Sequence, residues 1–173
     1  MAQGVVIEKL TGKSWEENMK EKILKPLGMN NTNLSTIDME KSADRSLAFT
    51  TKDSIIKAIP YRNIDAMGPA GSVNSCAKDM AKWLITWVNG GKYNGKEIIP
   101  SSYVSQAMTT QMATGGGLPG TENTDVHTSG YGLAWGISSY RGHYRVEHGG
   151  GIDGFITSTG FFPSDSIGIF VVS

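Results

Sequence analysis

The hydrophobic period of this chain changes once along its length, and that change limits the architectures open to it. In the first part, apolar residues recur at helical spacing: Trp15, Met19 and Ile23 in one segment, Met80, Trp83, Leu84, Trp87 and Val88 in another. From Tyr131 the period is two, with Tyr131, Leu133, Trp135 and Ile137 alternating with Gly132, Ala134 and Gly136. Arg145 to His148, Phe155 to Phe162 and Ile167 to Val172 read as three further strands, and their short connections favour antiparallel neighbours. Helices followed by a strand meander make an α+β chain and exclude an alternating βαβ plan. The expected division is 1–128, mainly helices and loops, and 129–173, antiparallel strands.

Within the strand region, Val146 to Phe155 is the most distinctive stretch: Val-Glu-His-Gly-Gly-Gly-Ile-Asp-Gly-Phe. Val146 and His148 share one strand face, and three glycines follow. Without Cβ atoms, a backbone or a ligand can approach closely there. An imidazole beside bare amide groups suits an anionic or carbonyl oxygen. A glycine-bent hairpin with an incidental histidine is the plain alternative.

The helical part carries clear boundary signals. Gly4 to Leu10 reads as the end of a helix stopped at Thr11-Gly12. Ser14-Trp15-Glu16-Glu17 is a capping box, and Pro26 with Gly28 closes the helix it starts. Asn30 to Lys57 is polar and weakly patterned, so it is expected to be irregular. Asn63 to Asn74, rich in Gly, Pro, Ala and Ser, is expected to be a compact loop. Ser75 is placed to cap the Met80–Val88 helix, which ends before Gly90. Tyr93-Asn94-Gly95-Lys96 carries the Asn-Gly pair of a tight hairpin turn. Pro100 and Ser101 start another helix with Val104, Ala107 and Met108 inward, and Ala113 to Ser129 is a glycine-rich loop.

Composition removes whole classes of function. Sixteen basic residues balance sixteen acidic ones, so no electrostatic footprint for nucleic acid or an anionic membrane exists. Cys76 is the single cysteine, which rules out an intrachain disulfide and a thiolate metal cluster. His127, His143 and His148 never pair at i, i+4, and no metal site is expected. No apolar run is long enough to span a bilayer. The opening residues lack a signal-peptide pattern, and both ends look abrupt, so the chain is expected to be a piece of a larger protein.

Several short patterns fail on context. Gly149-x-Gly151-x-x-Gly154 matches a dinucleotide fingerprint, yet Phe155-Ile156-Thr157 after it forms strand rather than helix. Ser54-Ile55-Ile56-Lys57 and Ser75-Cys76-Ala77-Lys78 both spell S-x-x-K, and Tyr61-Arg62-Asn63 echoes Y-x-N. A serine at that spacing is a nucleophile only when it opens a buried helix whose lysine turns back to it. Neither serine sits in such a context. No G-x-S-x-G elbow occurs. Asn30-Asn31-Thr32 and Asn33-Leu34-Ser35 match the glycosylation sequon by chance.

Four segments, in order, resemble the serine β-lactamase and penicillin-binding-protein superfamily, specifically its class C β-lactamase-related esterases and peptidases. Val6 to Ser14 continuing through Ile23 to Met29 resembles the helix pair after that family's tyrosine motif. Gly68-Pro69-Ala70-Gly71-Ser72 leading to Asp79-Met80-Ala81-Lys82-Trp83 resembles its AGG-S-x-D-L segment. Tyr131-Gly132-Leu133-Ala134-Trp135-Gly136 resembles the strand before its third motif. Glu147-His148-Gly149-Gly150-Gly151 resembles the H-x-G form of that motif, the counterpart of K-T-G.

The resemblance implies part of the β-lactamase/transpeptidase-like fold, a helical lobe plus an antiparallel sheet, truncated at both ends. It implies acyl-enzyme chemistry in an intact parent on an ester, amide or β-lactam, with no cofactor and no metal. His148 would face the nucleophile, the amide of Gly151 would be one oxyanion donor, and Gly149 and Gly150 would line the substrate. The family's serine–lysine and tyrosine motifs lie upstream of the helix at Val6, so the missing N-terminal part is an expected partner and this piece alone is expected to be inactive. A bacterial envelope, periplasmic or secreted parent is implied, with a catalytically dead sensor, scaffold or binding domain as the alternative.

Overall fold

The computed structural model describes residues 1–114, 120–122, 124–125 and 129–173. The glycine run at 115–119 and His127 lie outside the described residues. Two contact units divide the chain. The first comprises Met1–Met80, Gly150–Thr157 and Val172–Ser173; the second comprises Ala81–Gly149 and Ser158–Val171.

The first unit begins with α1 (Ala2–Thr11), ended by Gly12 at φ 68°. The capping box then forms as expected. The Glu17 amide donates to Ser14 Oγ at 3.1 Å, and the Ser14 amide donates to Glu17 Oε2 at 2.8 Å. The helix it starts runs in three parts: α2 (Trp15–Met19), a π turn (Lys20–Leu24) and α3 (Lys25–Leu27). Pro26 accounts for the wide turn. It has no N–H, and its ring would press on the carbonyl four residues back in a regular helix. In the observed turn the Lys25 amide donates to the Lys20 carbonyl, five residues back.

That extra residue rotates the buried face. Trp15 and Asn18 are buried before it and Leu24 and Leu27 after it, while Met19 and Ile23 are only half-buried. The simple i, i+4, i+8 stripe is thereby corrected.

Asn30 to Lys57 is more ordered than its polarity suggests. It contains α4 (Thr36–Glu40) and an antiparallel hairpin, β1 (Ala48–Lys52) and β2 (Ile55–Ile59), in register Lys52↔Ile55. Its two-residue loop, Asp53-Ser54, has φ 53° and 62°, the twist of a type I′ turn. The Asn-Gly or Asp-Gly signal for such a turn is absent from the sequence, and most of the hairpin is exposed, so no apolar alternation marks it. The compact stretch expected at Asn63–Asn74 is wound into a 3-10 turn (Asp65–Met67) and α5 (Gly68–Gly71).

Asp65 ties this turn to the start of α4. Its Oδ2 accepts from Ser35 Oγ at 2.6 Å and its Oδ1 from the Thr36 amide at 2.7 Å. The Ser35 hydroxyl, then the Thr36 amide, hold the Asp65 carboxyl below the ordinary carboxylate range. A lowered folded pKa contributes stability above the unfolded value near 3.9 that is lost as pH falls through the folded value. Asp65→Asn is therefore expected to lower the thermal midpoint by about 2–4 °C at neutral pH. The gap between the melting curves of the two proteins should narrow as pH falls below the ordinary carboxylate value near 3.9. A gap that does not narrow there would mean that packing, not charge, sets the effect.

In the second unit, α6 (Ala77–Val88) carries the helical stripe past Met80. Leu84 and Trp87 are buried and Trp83 and Val88 pack against the same cluster. The turn at Asn94-Gly95 joins β3 (Lys92–Tyr93) to β4 (Lys96–Glu97), in register Tyr93↔Lys96 as expected from the Asn-Gly pair. In α7 (Ser101–Ala107), Val104 and Ala107 are buried and Met108, just after it, is half-buried.

The strands form one six-stranded sheet. In chain order they are β5 (Met112–Ala113), β6 (Ser129–Tyr131), β7 (Gly136–Tyr140), β8 (His143–Ile152), β9 (Phe155–Phe162) and β10 (Ile167–Val172). The sheet order β10-β9-β8-β7-β6-β5 is a plain meander. Two strand expectations change. The run from Tyr131 to Ile137 is not one strand but the end of β6, a turn, and the start of β7, paired Tyr131↔Gly136. At the turn, Ala134 adopts φ 66°, the Gly132 amide donates to the Trp135 carbonyl at 2.7 Å, and the Leu133 amide donates to the Ala107 carbonyl at 3.0 Å. A Cβ on Gly132 would overlap the Ala107 carbonyl oxygen, so only glycine lets the turn sit on the end of α7. Second, β8 does not end at His148 but continues through all three glycines to Ile152.

The core of this unit comprises Leu84, Trp87, Ile99, Val104, Ala107, Trp135, Ile137, Val146 and Phe161. Apolar burial of this kind is its main source of stability.

Candidate functional site

Strand parity places His148. Val146 is fully buried in the core of the second unit, and two residues on, His148 shares its face beyond the packed centre, where it is exposed. The adjacent register, Gly136↔Glu147, brings the β6–β7 turn alongside the imidazole. His148 Nε2 lies 3.2 Å from the Tyr131 hydroxyl. The imidazole meets the Trp135 ring edge-to-face, with centroids 6.4 Å apart and planes at 86°. Trp135 is itself buried and packs edge-on against Trp87 at 5.1 Å and Phe161 at 5.0 Å.

On the opposite face of β8, Arg145 Nη2 pairs with Glu147 Oε1 at 3.1 Å, and Arg145 Nε donates to Ser138 Oγ at 2.9 Å. A further strand anchor is Tyr144, whose hydroxyl donates to the Met108 carbonyl and whose phenol burial pushes above its ordinary range.

Gly149 groups with the second unit, Gly150 and Gly151 with the first. A Cβ at Gly150 would come within 2.6 Å of Thr157 Oγ1, so the strand tip admits no larger residue without displacing that side chain. At Gly151 the nearest atom to such a Cβ is the Phe155 carbonyl oxygen at 4.0 Å, which leaves its surroundings open. Gly149, Gly150 and Gly151 are all exposed.

The serine–lysine look-alikes have other geometry. Ser54 sits in the β1–β2 turn and Lys57 pairs with Thr50 in the ladder, so the two are not on one helix face. Ser75 precedes α6 instead of capping it from within. The Cys76 carbonyl accepts the Met80 amide, and Ser75 Oγ lies 2.8 Å from Thr32 Oγ1 with both exposed. Tyr61 is engaged structurally: its hydroxyl donates to the Ser46 carbonyl at 2.7 Å and its ring stacks on Phe155. Arg62 pairs with Asp153 at 3.2 Å, and Asn63 Oδ1 accepts the Asp65 amide. Among the described residues, no group of three acidic, histidine or cysteine side chains could hold a metal.

Sequence reasoning missed one member of the site. Tyr131 reads as bulk on a strand face, and its link to His148 exists only because the chain turns at 132–135.

A family model, Beta-lactamase, matches residues 2–173. The chain belongs to the beta-lactamase family, within the serine β-lactamase and penicillin-binding-protein superfamily. An unguisins hydrolase of Aspergillus campestris is 31% identical over 97% of this chain and 30% of its own length. An octameric penicillin-binding protein homologue from Pyrococcus abyssi is 26% identical, with TM-score 0.82 over 98% of this chain and 36% of its own. A D-stereospecific amidohydrolase from Streptomyces shares the fold, with TM-score 0.71, 22% identity, and coverage of 96% of this chain and 46% of its own. The chain thus spans about a third of the length of the curated relatives that it matches over nearly all of its own residues. Among the described residues no helix is long and apolar enough to cross a membrane.

Proposed function

We propose that residues 1–173 are the C-terminal part of a serine hydrolase that works through an acyl-enzyme, with the nucleophilic serine, its lysine and a tyrosine supplied by polypeptide preceding Met1. The observation that carries this reading is the third-motif strand: an exposed His148 set against Tyr131 and Trp135, followed by a run of bare glycine backbone. The family membership and the one-third coverage of the hydrolase relatives support it. In the parent, the serine oxygen would bond to the carbonyl carbon of an ester, amide or β-lactam while the lysine and tyrosine take its proton and pass it to the leaving group. The Gly151 amide would donate to the developing oxyanion, together with the nucleophile's own amide. His148 would face the nucleophile, as a hydrogen-bond partner for a substrate carboxylate or as a proton shuttle. Alone, these residues stabilise a transition state that nothing among residues 1–173 generates.

A fluorophosphonate or fluorescent penicillin probe tests this directly. The full-length parent is expected to label at one serine outside residues 1–173, and the 173-residue chain to stay unlabelled. Stoichiometric labelling of the short chain at Ser54 or Ser75 would sink the assignment. A parent that binds penicillin without covalent labelling would instead be a catalytically silent sensor.

A further inference from the structure

We propose that Tyr131 is the positioning residue for His148: its hydroxyl, 3.2 Å from Nε2, decides which imidazole nitrogen carries the proton and holds the ring in place against Trp135. The catalytic consequence rests on the reading of His148 above, but the positioning itself does not.

An exposed histidine at a strand end would ordinarily sample several rotamers and both neutral tautomers. Here two neighbours restrict it, and each is anchored independently. Tyr131 is the last residue of β6, held between two ladders by the pairs Met112↔Tyr131 and Tyr131↔Gly136, with the Gln111 amide donating to its carbonyl at 3.0 Å. Only two side-chain torsions separate that fixed backbone from the phenol. Trp135 is buried against Trp87 and Phe161, so the surface on which the imidazole rests edge-to-face does not move with solvent. The hydroxyl is therefore a polar stop on one side of the ring and the indole an apolar one on another. His143, by contrast, pairs through Nδ1 with the Asp165 carboxylate, so His148 is served by a neutral partner where the other described histidine has a charged one. A phenol donates more strongly than it accepts, so its hydroxyl favours the tautomer whose Nε2 is bare and whose proton sits on Nδ1. The β6–β7 turn, with Ala134 at φ 66°, is what brings both partners to the same ring.

The tautomer ratio of His148 tests this in the 173-residue chain, labelled with 15N-histidine and measured near pH 8.5, about two units above the ordinary imidazole pKa. His148→Gln identifies the resonances. The wild-type protein is expected to show one dominant tautomer, and Tyr131→Phe, which keeps the ring and removes the hydroxyl, to shift the ratio by about threefold to tenfold, the range one hydrogen bond commands. In the full-length parent the same variant should lower kcat by a similar factor with KM little changed, the split expected of a residue that acts through His148. Comparable tautomers in the wild-type chain would overturn the proposal even if Tyr131→Phe failed to fold, and so would a ratio unchanged by that variant. Loss of all acyl transfer in the wild-type parent would remove the hydrolase reading and leave the tautomer result to stand by itself.

Discussion

Trp87→Ala is expected to destabilise the chain by about 3–5 kcal/mol, the scale of a large aromatic truncation in a packed core. Trp87 is 4% exposed and is the hub of an aromatic cluster. Its ring centroid lies 5.6 Å from Trp83, 5.1 Å from Trp135, 6.3 Å from Phe161 and 6.5 Å from Tyr103. Truncation would leave a cavity bordered by rigid rings that collapse poorly, which places the effect at the upper end. Trp83, on the same helix, is only half-buried, so Trp83→Ala is expected to cost clearly less. Trp87→Phe makes the argument sharper. The indole Nε1 has no hydrogen-bond partner among the described residues, and the smaller ring removes that unpaired donor while filling most of the space. Its cost should fall well below that of alanine. Urea unfolding of the three variants checks the order, and equal midpoints for Trp83→Ala and Trp87→Ala would mean that burial does not rank these positions.

The second large effect concerns catalysis in the full-length parent. His148→Ala is expected to lower kcat/KM by roughly 10²-fold or more with folding intact, as positioned acid–base groups do. The side chain is exposed, and among the described residues it meets the Tyr131 hydroxyl and the edge of Trp135, so its removal leaves Val146 in place and opens no enclosed cavity. A structural explanation for lost activity is thereby weak, and an unchanged thermal midpoint would exclude it. Gly151→Pro should be at least as damaging, since it deletes the amide assigned to the oxyanion, and Gly151→Ala serves as its control because a Cβ there meets no atom closer than 4.0 Å. Near-wild-type rates for both His148→Ala and Gly151→Pro, with substrate bound normally, would end the third-motif assignment.

Much of this protein follows from residue order alone. The helix stops at Gly12 and Gly28, the capping box at Ser14 and Glu17, the Asn94-Gly95 turn and the strands Phe155–Phe162 and Ile167–Val172 stand where local chemistry puts them. Each depends on interactions within a few residues, where a missing N–H, a bare Cα or a short polar side chain biases the backbone before any packing exists. The family too was legible, because four motif segments occur in order.

What the sequence left open depended on contacts distant in the chain. The π turn before Pro26 moved the buried face from Met19 and Ile23 to Leu24 and Leu27, since one additional residue per turn changes every later side chain's direction. The β1–β2 hairpin carries no apolar alternation, so its pairing was invisible to periodicity. The run Tyr131 to Ile137 satisfied the strand period along its whole length, yet it turns at 132–135 because the Leu133 amide finds the Ala107 carbonyl and Gly132 fits beneath it. That long-range hydrogen bond makes Tyr131 and Trp135 neighbours of His148. The residue types of the site were written in the sequence; their meeting was decided by tertiary structure, because a two-residue period is satisfied equally by one long strand and by two short ones folded against each other.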